Sequence, residues 1–112
     1  MKNLTLLLIT VLIFSCDSPA QHTDATPAKF EVDIQKPGVQ ILDVRTASEF
    51  QAGHIKNALQ ADWFNTSQFK DRVQYLDKSK PVFVYCATGG RSSKAAKWLA
   101  SNGFAVTENL SG

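Results

Sequence analysis

One short segment of the sequence combines residue types that could carry out covalent chemistry. The segment reads Cys86-Ala87-Thr88-Gly89-Gly90-Arg91-Ser92 and is called the cysteine loop below. Its two adjacent glycines allow a tight turn in which backbone N–H groups converge, and its hydroxyl side chains supply further donors. A sulfur atom among such donors, beside the cation of Arg91, is expected to have a lowered pKa and to be a nucleophilic thiolate at neutral pH.

The residues around the cysteine loop predict a strand before it and a helix after it. Pro81–Tyr85 is a continuous apolar run, which is typical of a strand buried in a parallel sheet. Unpaired N–H groups and the positive end of the helix dipole would meet at the start of the following helix. The loop is therefore expected to stabilise an anion, either a persulfide on Cys86 or an incoming oxyanion.

The rest of the chain alternates predicted strands and helices. Strands are expected over Val39–Val44, Ala58–Ala61, Pro81–Tyr85 and Phe104–Thr107. Helices are expected from Pro27 to the break at Pro37-Gly38, and over Ala47–Ala52, Thr66–Leu76 and Arg91–Asn102. This order predicts an α/β fold with a mostly parallel central sheet flanked by helices. Sites in such folds lie at the carboxyl ends of the strands, which is where Cys86 falls.

The N-terminal residues predict export rather than a part of the fold. Leu4–Phe14 is an apolar run of eleven residues after Lys2, which is too short to span a bilayer and typical of a signal peptide. Ile13-Phe14-Ser15-Cys16 resembles the lipobox of bacterial lipoproteins, so we expect residues 1–15 to be a signal peptide and Cys16 to be lipidated. Cleavage after Ala20 and a buried N-terminal helix are the alternatives.

This reading places the protein in the bacterial cell envelope and gives it a membrane as a partner. Residues 16–26 are expected to form a flexible tether between a lipid anchor at Cys16 and one domain over residues 27–112. With Cys16 lipidated or removed, Cys86 remains the only free thiol of the two cysteines.

Composition excludes several other classes of protein. The chain has 112 residues and a net charge of +2, with its basic residues spread out, so we expect no nucleic-acid partner. His22 and His54 lie far apart in the sequence, and with one usable cysteine they predict no metal site.

The ordered motifs of this chain resemble those of a single rhodanese domain. The matching stretches are Leu42-Asp43-Val44-Arg45, Glu49-Phe50, Gly53-His54-Ile55, Val84-Tyr85-Cys86, Gly89-Gly90-Arg91-Ser92, Gly103-Phe104 and Asn109-Leu110-Ser111-Gly112. The resemblance implies a sulfurtransferase that needs no cofactor. Cys86 would take sulfane sulfur from a small anionic donor such as thiosulfate and pass it to cyanide or a thiol. Residues Ala87 to Ser92 would bind the donor and the persulfide.

Four polar residues outside the loop are expected to be structural. By the resemblance, Asp43, Arg45, Glu49 and His54 tie neighbouring loops together near the site, although His54 is also a conceivable general base. Trp63-Phe64 either packs in the core or forms an apolar rim. The family usually continues past the position of Gly112 with a terminal helix, which we expect to be missing here.

Loop length separates sulfur chemistry from phosphate chemistry. Four residues lie between Cys86 and Arg91, one fewer than in cysteine phosphatases, and the smaller loop favours a single sulfur atom over phosphate. A non-catalytic binding or regulatory module is the first alternative to a sulfurtransferase, and a small phosphatase or arsenate reductase is the second.

Overall fold

The structure is a computed structural model that describes residues 22–111. The predicted signal peptide, the lipidation of Cys16 and the first part of the tether lie outside the described residues. Within residues 22–111, no helix is both long enough and apolar enough to cross a membrane.

Five parallel strands form one central sheet. In chain order the strands are β1 (Thr23–Ala25), β2 (Gln40–Asp43), β3 (Leu59–Gln60), β4 (Val82–Tyr85) and β5 (Val106–Leu110). They lie in the order β1-β5-β4-β2-β3, and every neighbouring pair is parallel. The predicted α/β fold with a parallel sheet is confirmed, and β4 occupies its centre.

Within the described residues, four helices connect the strands. They are α1 (Pro27–Asp33), α2 (Ala47–Ala52), α3 (Thr66–Arg72) and α4 (Gly90–Ser101), and a single 3₁₀ turn over Val73–Tyr75 extends α3. The predicted bounds agree with the observed ones to within a few residues because capping residues and glycines mark most of the ends.

The sheet separates two apolar layers. One layer lies under α3 and α4 and includes Leu42, Val84 and Leu99, while the other lies under α1 and includes Phe30 and Phe83. All four residues of β4 are buried, as expected for a central strand covered on both faces. This burial holds the carboxyl end of β4, and therefore the cysteine loop, in a fixed position.

Two segments differ from their prediction. Residues 23–25 belong to the sheet as its edge strand β1, which pairs with β5, and are not part of a tether. The last strand is Val106–Leu110 instead of Phe104–Thr107, and Phe104 packs into the core before it. Both segments carry polar residues, including the buried Glu108 and Asn109, so their apolar pattern did not reveal a strand.

A capping box sets the start of α2 and the position of Glu49. The Thr46 hydroxyl accepts a hydrogen bond from the Glu49 N–H at 3.3 Å, and Glu49 Oε1 accepts one from the Thr46 N–H at 3.3 Å. Because α2 follows β2 directly, the Glu49 carboxylate lies at the same edge of the sheet as the cysteine loop.

The fold predicts a large loss of stability when α4 is truncated at its core contact. Leu99 is fully buried, so Leu99→Ala should lower the free energy of unfolding by about 2–5 kcal/mol through lost transfer energy and a cavity. Urea denaturation measures this change. The control Val32→Ala removes a side chain that is 65% exposed and should change stability by less than about 0.5 kcal/mol. Similar losses for both variants would contradict the assigned core.

Candidate active site

The turn between β4 and α4 places Cys86 at the sheet's carboxyl edge. Gly89 is the residue before α4 and has φ of 91°, a left-handed conformation that favours glycine over residues with a Cβ. This conformation reverses the chain within three residues of Cys86 and directs the first N–H groups of α4 back toward the sulfur. Cys86 itself is buried, at 7% exposed.

Three hydrogen-bond donors lie within bonding distance of the sulfur atom. Cys86 Sγ accepts hydrogen bonds from the Gly89 N–H at 3.1 Å and the Ser92 N–H at 3.4 Å. The Ser92 hydroxyl lies 3.3 Å from the same sulfur and is completely buried. The first N–H groups of a helix have no acceptor within the helix, so the sulfur satisfies donors that would otherwise be unpaired.

These donors favour the charged form of the thiol. Burial by itself raises the pKa of Cys86, but the Ser92 hydroxyl, the Ser92 N–H and the N–H groups of Thr88 and Gly89 outweigh it, and the pKa is lowered. Thr88 contributes through its backbone N–H, and its side chain is exposed. The cysteine loop therefore stabilises negative charge mainly through backbone dipoles.

Arg91 is paired with a carboxylate. Arg91 Nη1 donates to Glu49 Oε1 at 2.8 Å and Nη2 donates to Glu49 Oε2 at 3.0 Å, which is a two-point ion pair. The Arg91 guanidinium, with help from Thr46, lowers the pKa of Glu49 to about 2. Arg91 lies on the loop as a cation, as expected, and Glu49 pairs with its charge.

An exposed aromatic ring also lies close to Arg91. The Arg91 guanidinium carbon is 5.1 Å from the centre of the Phe64 ring, and Phe64 is 71% exposed. Trp63 instead packs edge-to-face on Phe69, with ring centres 5.0 Å apart. Each of the two alternatives for Trp63-Phe64 therefore holds for one residue. Trp63 packs against the core, and Phe64 forms an exposed apolar rim.

Asp43 anchors a hydrogen-bond network below the site. Its carboxylate is fully buried and accepts from Arg45 Nε and Nη2, at 2.7 Å for the latter, and from the Tyr85 hydroxyl at 2.6 Å. Arg45 Nη2 also donates to the Gly53 carbonyl at 2.7 Å, and Tyr85 accepts from the Ile55 N–H at 3.0 Å. The network joins the ends of β2 and β4 to the loop after α2.

Sequence reasoning missed the role of Tyr85. It is the last residue of β4, and its hydroxyl is the only polar side-chain group on an otherwise apolar strand. Burial, followed by the hydrogen bond to Asp43, raises the pKa of Tyr85 to about 12. The sequence did contain a clue to this role. A tyrosine at the end of a buried strand has a hydroxyl group that needs a hydrogen-bond partner.

The remaining predicted residues lie outside the sulfur's hydrogen-bond shell. His54 is exposed, stacks on Phe50 with ring centres 3.6 Å apart, and its Nδ1 is 2.8 Å from the Phe50 carbonyl oxygen. Ala87 and Gly90 are exposed on the cysteine loop. Among residues 22–111, no group of three His, Cys, Asp or Glu side chains is arranged to hold a metal ion.

Comparison with known proteins identifies relatives of the whole described domain. A family model described as the rhodanese-like domain matches residues 26–112. Thiosulfate sulfurtransferase GlpE of Pseudomonas fluorescens is 31% identical over 94 residues, which cover 84% of this chain and 76% of that protein. The crystal structure of a rhodanese-like domain protein from Staphylococcus aureus has a TM-score of 0.69 and 28% identity, covering 80% of this chain and 85% of that one.

Longer proteins also contain a similar segment. The tRNA uridine(34) hydroxylase of Cytophaga hutchinsonii is 34% identical over 105 residues, which cover 85% of this chain and 34% of that protein. The chain thus spans about a third of the length of that relative.

The geometry predicts a specific role for the Ser92 hydroxyl. Ser92→Ala removes one donor to the thiolate and should raise the pKa of Cys86, because hydrogen bonds to charged groups contribute about 1.5–3 kcal/mol. The pH profile of iodoacetamide alkylation, followed by mass spectrometry of the Cys86 peptide, measures the change. The midpoint should move to higher pH.

The neighbouring Ser93→Ala provides the control. Ser93 follows Ser92 in α4, and its N–H donates to the Gly89 carbonyl at 3.0 Å, so the substitution leaves the sulfur's donors in place. An unchanged alkylation midpoint in Ser92→Ala, or the same change in both variants, would contradict the assigned role.

Proposed function

The chain belongs to the rhodanese-like domain family, and from this premise we propose that it is a sulfurtransferase that carries sulfane sulfur on Cys86 as a persulfide. The observation that carries the proposal is the set of backbone N–H groups from Gly89 and Ser92 that point at Cys86 Sγ. This arrangement stabilises a thiolate before the reaction and an anionic persulfide after it.

In the first step the Cys86 thiolate attacks the outer sulfur of a donor such as thiosulfate. A bond forms between Sγ and that sulfur, the sulfur–sulfur bond of thiosulfate breaks, and sulfite leaves with the electron pair. Attack by the thiolate form needs no proton transfer, and sulfite is a stable leaving anion. The charge on the protein moves from Sγ to the terminal sulfur, which stays next to the N–H groups of the cysteine loop.

In the second step a thiol or cyanide removes the outer sulfur. The acceptor attacks the terminal sulfur of the persulfide, the bond to Sγ breaks, and the electron pair returns to Cys86 as the thiolate. The Ser92 hydroxyl and the loop N–H groups again receive a negative sulfur, so the same donors serve both halves of the cycle.

The size of the loop supports sulfur transfer over phosphate chemistry. Only four residues separate Cys86 and Arg91, and the Gly89 and Ser92 N–H groups lie 3.1 Å and 3.4 Å from Sγ, so a short loop directs its amides at the sulfur. Arg91, which would bind a phosphate group in a phosphatase, is occupied by Glu49. A lowered pKa on a retained cysteine likewise supports catalysis over a binding module.

The relatives support the same reading. GlpE, similar over most of both chains, is named a thiosulfate sulfurtransferase. The tRNA uridine(34) hydroxylase is similar over only a third of its length, so its named activity is not carried over to this chain. A transferase that uses Cys86 is consistent with both relationships.

Mass spectrometry tests the proposal directly. Incubation of the protein with excess thiosulfate or an organic thiosulfonate should add one sulfur, about 32 Da, to the Cys86 peptide, because the thiolate accepts the outer sulfur. Adding cyanide should release thiocyanate and restore the original mass. Cys86→Ser should abolish both results.

The alternatives predict other outcomes of the same experiment. If no donor yields an adduct or thiocyanate, the sulfurtransferase proposal is refuted. Cys86-dependent hydrolysis of a generic phosphate ester would then support a phosphatase, and inactivity toward both would support a binding module.

We also propose, from the sequence, export and lipid anchoring through Cys16. Expression in a bacterium should give a protein that partitions into the detergent phase of Triton X-114, because acyl chains at Cys16 bind membranes. Cys16→Ser should move the protein to the aqueous phase, whereas Cys86→Ser should leave its partitioning unchanged. Aqueous partitioning of the unaltered protein would refute the anchor.

A further inference from the structure

Glu49 and Phe64 both lie next to the Arg91 guanidinium, which belongs to the cysteine loop. We propose that these two residues set the donor specificity of the site, so that it prefers monoanionic sulfane donors bearing an apolar carbon group over the thiosulfate dianion. The inference rests on the proposed sulfurtransferase function and concerns which donors that function uses.

The first argument is the local charge. The two-point pair with Glu49, at 2.8 Å and 3.0 Å, cancels the charge of Arg91 next to the loop. The pKa of Arg91 is raised mainly by Glu49, and further by the Cys86 thiolate and by Asp62. Asp62 is therefore a second carboxylate that acts on this guanidinium. The pair with Glu49 therefore leaves little net positive charge at Arg91 for a dianion, and Asp62 adds a weaker negative contribution.

This charge balance disfavours a dianion. Backbone N–H groups stabilise the reacting sulfur, but they supply partial charges rather than a full cation. Electrostatic repulsion grows in proportion to the donor's charge, so thiosulfate is penalised about twice as much as a monoanion. Lys94, one turn after Arg91, is exposed to solvent, where water and salt screen its attraction.

Glu49 is a positioning residue that acts through Arg91. The capping box with Thr46 fixes Glu49 in the first turn of α2, and its carboxylate then holds the guanidinium in one place. The pair is partly buried, with 18% of the Arg91 side chain and 34% of the Glu49 side chain exposed, so it is not fully screened. Arg91 therefore cannot turn toward a dianionic donor without breaking the pair.

The second argument is the exposed ring of Phe64. A large apolar side chain that is 71% exposed and lies 5.1 Å from the guanidinium of the loop residue Arg91 offers a surface for a carbon group of a donor. Its backbone N–H donates to Asp62 Oδ1 at 2.9 Å, which fixes the loop that carries the ring. A groove of about 330 Å³ continues from Phe64 between Trp63, Phe69 and Trp98. Thiosulfate has no carbon group to place there, whereas an aryl donor does.

The chemistry is balanced for such donors. The Cys86 thiolate attacks the outer sulfur of a thiosulfonate, R–SO₂–S⁻, a new bond forms to Sγ, and the old sulfur–sulfur bond breaks. The sulfinate R–SO₂⁻ leaves with the electron pair, and the persulfide carries the remaining negative charge. No proton, oxidant or cofactor is consumed.

Three sulfur donors distinguish the effect of charge from the effect of an apolar group. Thiosulfate, methanethiosulfonate and benzenethiosulfonate share the reacting sulfur, but the first is a dianion and only the last has an aromatic ring. We would measure kcat/KM for thiocyanate formation with each, divided by the uncatalysed rate of that donor with cyanide. The expected order is benzenethiosulfonate, then methanethiosulfonate, then thiosulfate. A value for thiosulfate equal to or above both thiosulfonates would overturn the inference without any variant.

Glu49→Gln tests the charge argument. The amide keeps an oxygen for Thr46 but loses its charge, so kcat/KM should rise about tenfold for thiosulfate and about threefold for methanethiosulfonate, mainly through KM. Glu31→Gln makes the same change in net charge on an exposed position of α1 and should leave the donor ratio unchanged. If Glu49→Gln lowers kcat/KM equally for all three sulfur donors, or leaves the ratios of their kcat/KM values unchanged, Glu49 does not set specificity.

Phe64→Ala tests the apolar argument. It should lower kcat/KM about fivefold for benzenethiosulfonate and leave methanethiosulfonate unchanged, because only the aryl ring loses a packing partner. Tyr75→Ala, an exposed aromatic in the 3₁₀ turn that is 81% exposed, is the matched control. An equal change in kcat/KM for both thiosulfonates would show that Phe64 does not contribute to donor specificity. If no donor forms a Cys86 persulfide, the proposed function itself fails, which is a different result from a changed preference.

Discussion

The hydrogen bonds from the start of α4 to the Cys86 sulfur are the interaction on which the site depends. They require β4 to end at the cysteine, Gly89 to adopt a left-handed conformation and α4 to begin immediately afterwards. Each requirement places a demand on the fold: β4 must be held on both faces, and α4 must be packed against the sheet. The burial of all four residues of β4 and of Leu99 in α4 meets those demands.

The polar residues around the loop perform two separate tasks. Asp43 and Tyr85, both buried, join the ends of two neighbouring strands and hold the carboxyl edge of the sheet in shape. Glu49 and Arg91 form an ion pair on the cysteine loop, and in the specificity proposed above they set the charge that a donor meets. One edge of a small sheet therefore holds both a buried polar network that fixes its shape and a separate ion pair next to the site.

Most of the element order could be predicted from the sequence, because local signals are strong there. Thr46 with Glu49 forms a capping box, a threonine–proline pair starts α1, and apolar runs mark β2 and β4. The edge strand β1 could not be predicted, since its three residues have no apolar alternation and it exists only by pairing with β5. The shift of the last strand has the same cause, because Glu108 and Asn109 are buried by neighbours distant in the sequence.

The sequence by itself determined that Cys86 lies between a buried strand and a helix, because the glycines, the hydroxyl residues and the preceding apolar run are all local to it. It also determined the loop length that favours sulfur over phosphate. Only the tertiary structure decided what Arg91 does. Glu49 lies 42 residues away in the chain, and the ion pair arises from two helices meeting at one edge of the sheet. Long-range electrostatics depends on where the chain folds, and no local pattern contains that information.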